Sequence, residues 1–263
     1  MASLADHQSS HTTKLLLIGN SGAGKTSALT SLVRAGYKLR ILDYDNGLDP
    51  LVQLIKRECK DNLSNVDFIT LRDKIKATPA GPMIDGKAGA FIDGLKALDA
   101  WPGLEGKPAT WGEDTIVVVD SLTFMSDAAW DWAEPLVPRG SRSGEKDNRA
   151  VYGQAQKAIE NVLALLTGDH FKTNVIVTSH IRYQTMDDGT TRGWPTAVGQ
   201  ALGPVIPRFF NSLALCERVG DKRTIRFAQS TLIDLKNPAA FKMTGPTLPV
   251  ETGLADFFKA VRS

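Results

Sequence analysis

The sequence predicts an α/β protein with a mostly parallel central sheet flanked by helices and an antiparallel hairpin extension near the C-terminus. Three observations carry this. Short apolar runs alternate with helical patterns, the arrangement of a parallel sheet covered on both faces. The first run passes through a glycine-rich turn directly into a helical pattern. The last two runs flank a turn containing Gly220-Asp221, which is hairpin chemistry.

In order, residues 14–19 form the first strand around Leu15-Leu16-Leu17-Ile18, and residues 25–35 the helix after it. A strand over 38–42 precedes a helix over 51–59, with Asp49 expected as its N-cap and Pro50 as its first helical residue. Residues 66–71 read as a strand and 88–101 as a helix, and the Gly- and Pro-rich stretches 79–86 and 101–112 as loops. Ile116-Val117-Val118-Val119 is the centre of a buried strand over 115–120, followed by helices over 124–133 and 152–166. A strand over 174–180, a helix over 203–210 and the hairpin strands 212–218 and 224–229 complete the pattern.

Composition narrows the class. The 263 residues carry 31 Lys+Arg against 29 Asp+Glu, a net charge of +2, with 42% hydrophobic content. That content, and glycines without a period of three, exclude disordered and collagen-like chains. Balanced charge means that a nucleic-acid partner must be sought in local loops. No apolar run approaches the ~18 residues of a membrane helix. Residues 1–13 are polar and lack a secretory pattern, so a cytoplasmic protein is expected, in the host cytoplasm if phage-encoded. Cys59 and Cys216 form no CxxC and are expected to be reduced. The expected organisation is a polar tail over 1–13 and one domain over 14–263.

Gly19-Asn20-Ser21-Gly22-Ala23-Gly24-Lys25-Thr26 is a complete GxxxxGK[ST] loop between strand and helix. Its glycines allow successive N–H groups to form an anion nest, and the helix behind adds its positive end. Lys25 is then set to neutralise the β- and γ-phosphates and Thr26 to offer its hydroxyl to Mg²⁺. ATP and Mg²⁺ are therefore the expected cofactors, with residues 19–26 and Ser27 as the nucleotide cradle. Asp120, ending a central strand, is the second expected metal anchor. Asp43 and Asp45, two residues apart in Leu42-Asp43-Tyr44-Asp45, both suit orientation of an attacking water, and spacing does not choose between them.

This arrangement resembles the RecA-like recombinase core, in order through nearly the whole chain. The resemblance implies a RecA-like P-loop NTPase fold and a DNA-stimulated ATPase. It assigns the water-polarising role to Asp45, an Asp where recombinases usually carry Glu. It makes Ser179 and His180 the pair that senses the γ-phosphate, His180 standing where recombinases carry Gln. Residues 134–149 and 182–200 become the two DNA loops, and Lys236 a cation acting in trans on a neighbour's ATP. Full recombinases add N- and C-terminal domains with no counterpart here, so the chain looks like the minimal bacteriophage single-strand annealing ATPases of the Sak type. The implied function is annealing or homologous recombination by a ring or filament of this chain, with a single-strand binding protein as a further partner. Two rival readings are a motor or switch ATPase without a DNA role and a nucleotide-binding scaffold with negligible hydrolysis; the shortened side chain at Asp45 motivates the scaffold.

The loops also argue from their own chemistry. Arg139, Arg142, Lys146 and Arg149 lie among Gly and Ser with no apolar anchor, which suits salt-sensitive contacts to phosphates. Arg182, Tyr183, Arg192 and Trp194 mix cations with aromatic rings, which suits stacking on unpaired bases. Phe257-Phe258-Lys259-Ala260 reads as an amphipathic C-terminal helix packed on its own core, and Trp101, Trp130 and Trp132 read as core.

Overall fold

The computed structural model describes residues 12–138, 147–230 and 232–263. Its strands and helices run β1 (Lys14–Gly19), α1 (Lys25–Arg34), β2 (Lys38–Asp43), α2 (Asp49–Glu58), β3 (Val66–Thr70), β4 (Ile75–Thr78), β5 (Gly81–Ile84), α3 (Ala90–Asp99) and β6 (Thr115–Asp120). They continue with α4 (Leu122–Ala133), α5 (Asn148–Thr167), β7 (Asn174–Ser179), β8 (Ile181–Thr185), β9 (Thr191–Pro195), β10 (Ser212–Val219), β11 (Lys222–Arg226), β12 (Thr247–Pro249) and α6 (Gly253–Arg262). One sheet holds eight strands in the order β12-β11-β10-β1-β7-β6-β2-β3. From β10 to β3 all neighbours are parallel, while β11 pairs antiparallel with β10 and β12. The expected fold class, a mostly parallel α/β sheet with an antiparallel C-terminal hairpin, is what forms.

Strand alternation divides the core into two layers. Leu15 and Leu17 of β1, Ile116 and Val118 of β6 and Ile176 of β7 pack with α1, α2 and α6. Leu16, Ile18, Val117, Val119, Val175 and Val177 point the other way, to α3, α4 and α5. Because β1 is buried on both faces, replacing Leu17 by Ala removes packing with no solvent to compensate and costs about 2–5 kcal/mol. α5 buries Val151, Ala155, Ile159, Val162 and Leu166, a 3–4-residue stripe, and Asp147 caps it by accepting from the N–H groups of Arg149 and Ala150 at 3.0 and 3.3 Å.

The edge of the sheet away from the P-loop is tied by buried polar groups. Lys14 Nζ donates to the carbonyls of Phe171 and Thr173 at 2.6 and 2.7 Å, and Asn174 accepts from Thr13 N–H while donating to Thr115 O. Phe257 and Phe258 of α6 are fully buried, and Trp101 is buried with its indole N–H on Asp67. Trp130 and Trp132 are half-buried against the core. Both cysteines are free, and burial pushes the Cys216 thiol up to about 12. Among the described residues no helix is long and apolar enough to cross a membrane.

Several expectations give way. Residues 203–210 form no α-helix; Pro204 and Pro207 leave only a 3₁₀ turn at Ile206–Phe209. The expected loop 79–86 forms the second half of the β4–β5 hairpin, closed through Gly81 at φ 115°. The expected loop 182–200 begins as the β8–β9 hairpin, turned at Gly189 (φ 79°). Asp49 is the first helical residue of α2 and Leu48 its cap, so Pro50 moves to the second position.

Candidate functional site

Parallel pairing brings the C-terminal ends of β1, β2, β6 and β7, namely Gly19, Asp43, Asp120 and Ser179, to one edge of the sheet. Parity then sorts their side chains. Ile41, Val118 and Ile176 face the α1 layer, so Asp43, Asp120 and Thr178, two residues further on, face α1's N-terminus. Ser179 shares parity with Val177 and faces the other layer.

The loop from β1 to α1 folds as a cradle. Gly22 and Gly24 adopt φ 73° and 100°, values that side chains resist. Gly19 is required for a different reason: a Cβ there would lie 2.7 Å from the Cys216 carbonyl of β10. Lys25 Nζ donates to the carbonyls of Gly19 and Asn20 at 2.8 and 3.2 Å, which holds the ammonium across the loop. Thr26 Oγ1 donates to Asp120 Oδ2 at 2.8 Å, and the Thr178 hydroxyl donates to Asp120 Oδ1. Asp43 Oδ1 accepts from the N–H groups of Asn46 and Gly47 at 2.8 and 3.3 Å. Among the described residues Asp45 Oδ1 is buried without a hydrogen-bond partner, while the carboxyl group as a whole lies beside Asp43 and the Gly47 N–H. Above these groups opens a cleft of about 290 Å³, whose walls include Ser21, Ser27, Asp45, His180 and Arg223.

Three carboxylates in one buried corner resist full ionisation. Burial raises the Asp120 carboxyl above its ordinary value and neighbouring Asp45 adds to this, opposed by the hydroxyls of Thr178 and Thr26 and by Lys25. Asp45 is raised by burial and then by Asp43. Asp43 is raised by burial, against the two N–H groups it accepts from. Lys25 is lowered by burial, an effect opposed by Asp120 and Asp45. Burial and the nearby Lys25 also lower His180. A divalent cation relieves this crowding of negative charge, and the Thr26 hydroxyl and Asp120 are oxygen donors of the kind Mg²⁺ takes. The cradle and this donor set fit a magnesium nucleotide.

Of the residues expected at the site, Lys25, Thr26, Asp120, Asp45 and His180 come together. Ser179 does not join them: its hydroxyl donates to the carbonyls of His180 and Thr196 on the far face. Thr178, its neighbour, faces the carboxylates and touches Asp120, and strand parity is the signal in the sequence that separates the two. His180 is steadied by Thr123, whose hydroxyl oxygen accepts from its backbone N–H at 3.1 Å, and by the edge of Phe124.

The nucleic-acid candidates divide. Arg139, Arg142 and Lys146 lie outside the described residues, and Arg149 is exposed in the first turn of α5. Arg182 pairs across the hairpin with Trp194, and Gln184 with Arg192, so Arg182, Arg192 and Trp194 share one face. Tyr183 lies on the opposite face, across Gly193. Arg192 also contacts Asp234 at 3.3 Å. Lys236 lies beside Leu213, near the edge away from the P-loop, where its Nζ donates to the carbonyls of Pro207 and Phe210 at 2.6 and 3.2 Å. Its ammonium is engaged within its own chain. The sequence pattern leaves Arg223 in the hairpin turn; because the turn is only Gly220-Asp221, it is a strand residue that reaches the cleft.

No curated protein matches this sequence. Among solved structures the chain is similar to the RadB recombinase, at 16% identity and TM-score 0.43, over 82% of this chain and 80% of that one. It is similar to an ATPase from the type III secretion system of pathogenic bacteria, at 14% identity and TM-score 0.45, over 78% of this chain and 51% of that one. It is also similar to the type III secretion ATPase EscN of enteropathogenic E. coli, solved with its central stalk EscO, at 11% identity and TM-score 0.46, over 79% of this chain and 42% of that one. A family model described as an AAA domain matches residues 11–239. With its P-loop at the edge of a mostly parallel sheet and a family match over most of its length, the chain has a mostly parallel α/β P-loop fold and belongs to the AAA domain family.

Proposed function

We propose that this chain is a magnesium-dependent ATPase that binds single-stranded DNA and promotes annealing or homologous recombination. One juxtaposition carries the reading: Lys25, the Thr26–Asp120 pair and the unpartnered Asp45 oxygen share a corner with His180, and the β8–β9 hairpin starts at the next residue, Ile181. The nest of residues 19–27 binds the phosphates of ATP, and Lys25 neutralises them. Thr26 and Asp120 hold Mg²⁺, which when bound supplies charge neutralisation to the phosphates. Asp45 orients the attacking water; Asp43 is less suited, because its oxygen is already engaged by Asn46 and Gly47.

His180 links the cleft to the hairpin along one continuous backbone. On the hairpin, Arg182 and Arg192 neutralise DNA phosphates and Trp194 stacks on an unpaired base, with Tyr183 on the reverse face. Arg139, Arg142 and Lys146, and Arg149 in the first turn of α5, extend the phosphate contacts. Assembly as a ring or filament, and a single-strand binding protein as partner, complete the proposal. ATP turnover and single-stranded DNA binding, measured together across a salt series, test it. Binding at low salt that weakens steeply as salt rises is expected, and absence of binding at low salt, with and without ATP, rejects the DNA reading.

A further inference from the structure

Two cations line the cleft, Lys25 and Arg223, and they differ in how they are held. Lys25 is bound to two loop carbonyls. Arg223 reaches the cleft from β11, and among the described residues no hydrogen bond or ion pair holds its guanidinium. It lies against Gly24 so closely that a Cβ on that glycine would be 3.0 Å from Arg223 Cδ, with Val250 behind at 3.5 Å. The backbone beneath is fixed, since Val250 N–H donates to Arg223 O at 3.2 Å and Val250 is buried.

Position determines which part of a nucleotide meets this arginine. Sheet order puts β7, β6 and β2 on one side of β1 and β10 and β11 on the other. The three carboxylates and Thr178 belong to the first side, so the metal and the reacting phosphate lie there. A nucleotide whose phosphates occupy the nest between must direct its nucleoside toward the second side, over Gly24. We infer that Arg223 is the nucleoside-side clamp of the nucleotide site, a positioning and affinity residue whose planar guanidinium covers a face of the base, with Val250 as the apolar floor behind Gly24. A planar cation with free donors suits this role, since it stacks on an aromatic face and leaves its N–H groups for the ribose. The inference rests on the nucleotide-site reading above and deepens it by assigning the end of the ligand that the P-loop does not grip.

Calorimetric titration with ADP and with inorganic tripolyphosphate separates the two ends of the ligand. Arg223→Ala is expected to weaken ADP about tenfold while tripolyphosphate stays within about twofold of wild type. Arg223→Lys is expected to recover little of the ADP affinity, because an ammonium does not stack. An unchanged ADP affinity, equal losses for ADP and tripolyphosphate, or full recovery by lysine each overturns the assignment. Wild-type protein that binds neither ligand instead refutes the nucleotide-site reading itself, so the two failures are distinguishable.

Discussion

The cleft and the β8–β9 hairpin are adjacent on the chain and are built by opposite means. In the cleft, the groups around the P-loop are held: Asp120 by two hydroxyls, Asp43 by two N–H groups, Lys25 by two carbonyls. Among the three carboxylates the exception is Asp45 Oδ1, which is buried with no hydrogen-bond partner among the described residues. On the hairpin, residues 182–190 are all exposed, and Arg192 makes one partly exposed ion pair. A preorganised site gives large, all-or-none mutational effects, whereas an exposed face made of separate contacts gives graded ones.

The largest effect is expected at Lys25. Lys25→Ala should abolish detectable nucleotide binding by calorimetry while the melting transition stays cooperative; retained affinity would break the cleft side of the comparison. Next, Asp45→Asn should lower ATP turnover by about 10²–10³-fold, in the range of a lost acid–base group, with ADP affinity nearly unchanged. The hairpin is expected to respond less: Arg182→Ala and Trp194→Ala should each weaken single-stranded DNA binding by about 5–10-fold in a fluorescence titration, without altering ADP affinity.

A fourth outcome concerns pH. Asp43, Asp45 and Asp120 all have carboxyls raised in the folded chain, chiefly by burial. A raised carboxyl contributes stability at low pH that is lost as pH rises through its folded value. The nucleotide-free protein should therefore lose stability on going from acid to neutral pH, and Asp45→Asn should lose less. A melting temperature for Asp45→Asn about 2–4 °C above wild type at pH 8, with the gap closing toward pH 4, is the expected signature. The smallest effect on function is expected at Lys236, where Ala should lower thermal stability but leave turnover untouched, because its ammonium serves two carbonyls of its own chain.

The two regions also differ in how far the sequence discloses them. The GxxxxGKT spacing and the IVVVD strand are short-range patterns with one structural solution, so the residues from Gly19 to Thr26 and Asp120 are legible directly. The exchange of Ser179 for Thr178 turns on strand parity, which the apolar residues on either side encode but which a motif search ignores. Arg223 is obscured by the short span of a turn whose boundary the pattern does not mark. The β4–β5 and β8–β9 hairpins resemble loops because β4 and β8 are largely exposed and carry no apolar alternation; the pairing lies in the backbone. Lys236 is suggested only by analogy with neighbours in a filament, and tertiary structure alone brings it to the carbonyls of Pro207 and Phe210.

The central claim is that the cleft and the hairpin form one device, joined at His180 and Ile181. ATP turnover with and without single-stranded DNA, in wild type and in Trp194→Ala, measures that junction most directly. Several-fold stimulation by DNA at low salt, lost on adding salt and lost in Trp194→Ala with basal turnover intact, is the predicted result. Turnover indifferent to DNA in a protein that nevertheless binds it would contradict the claim.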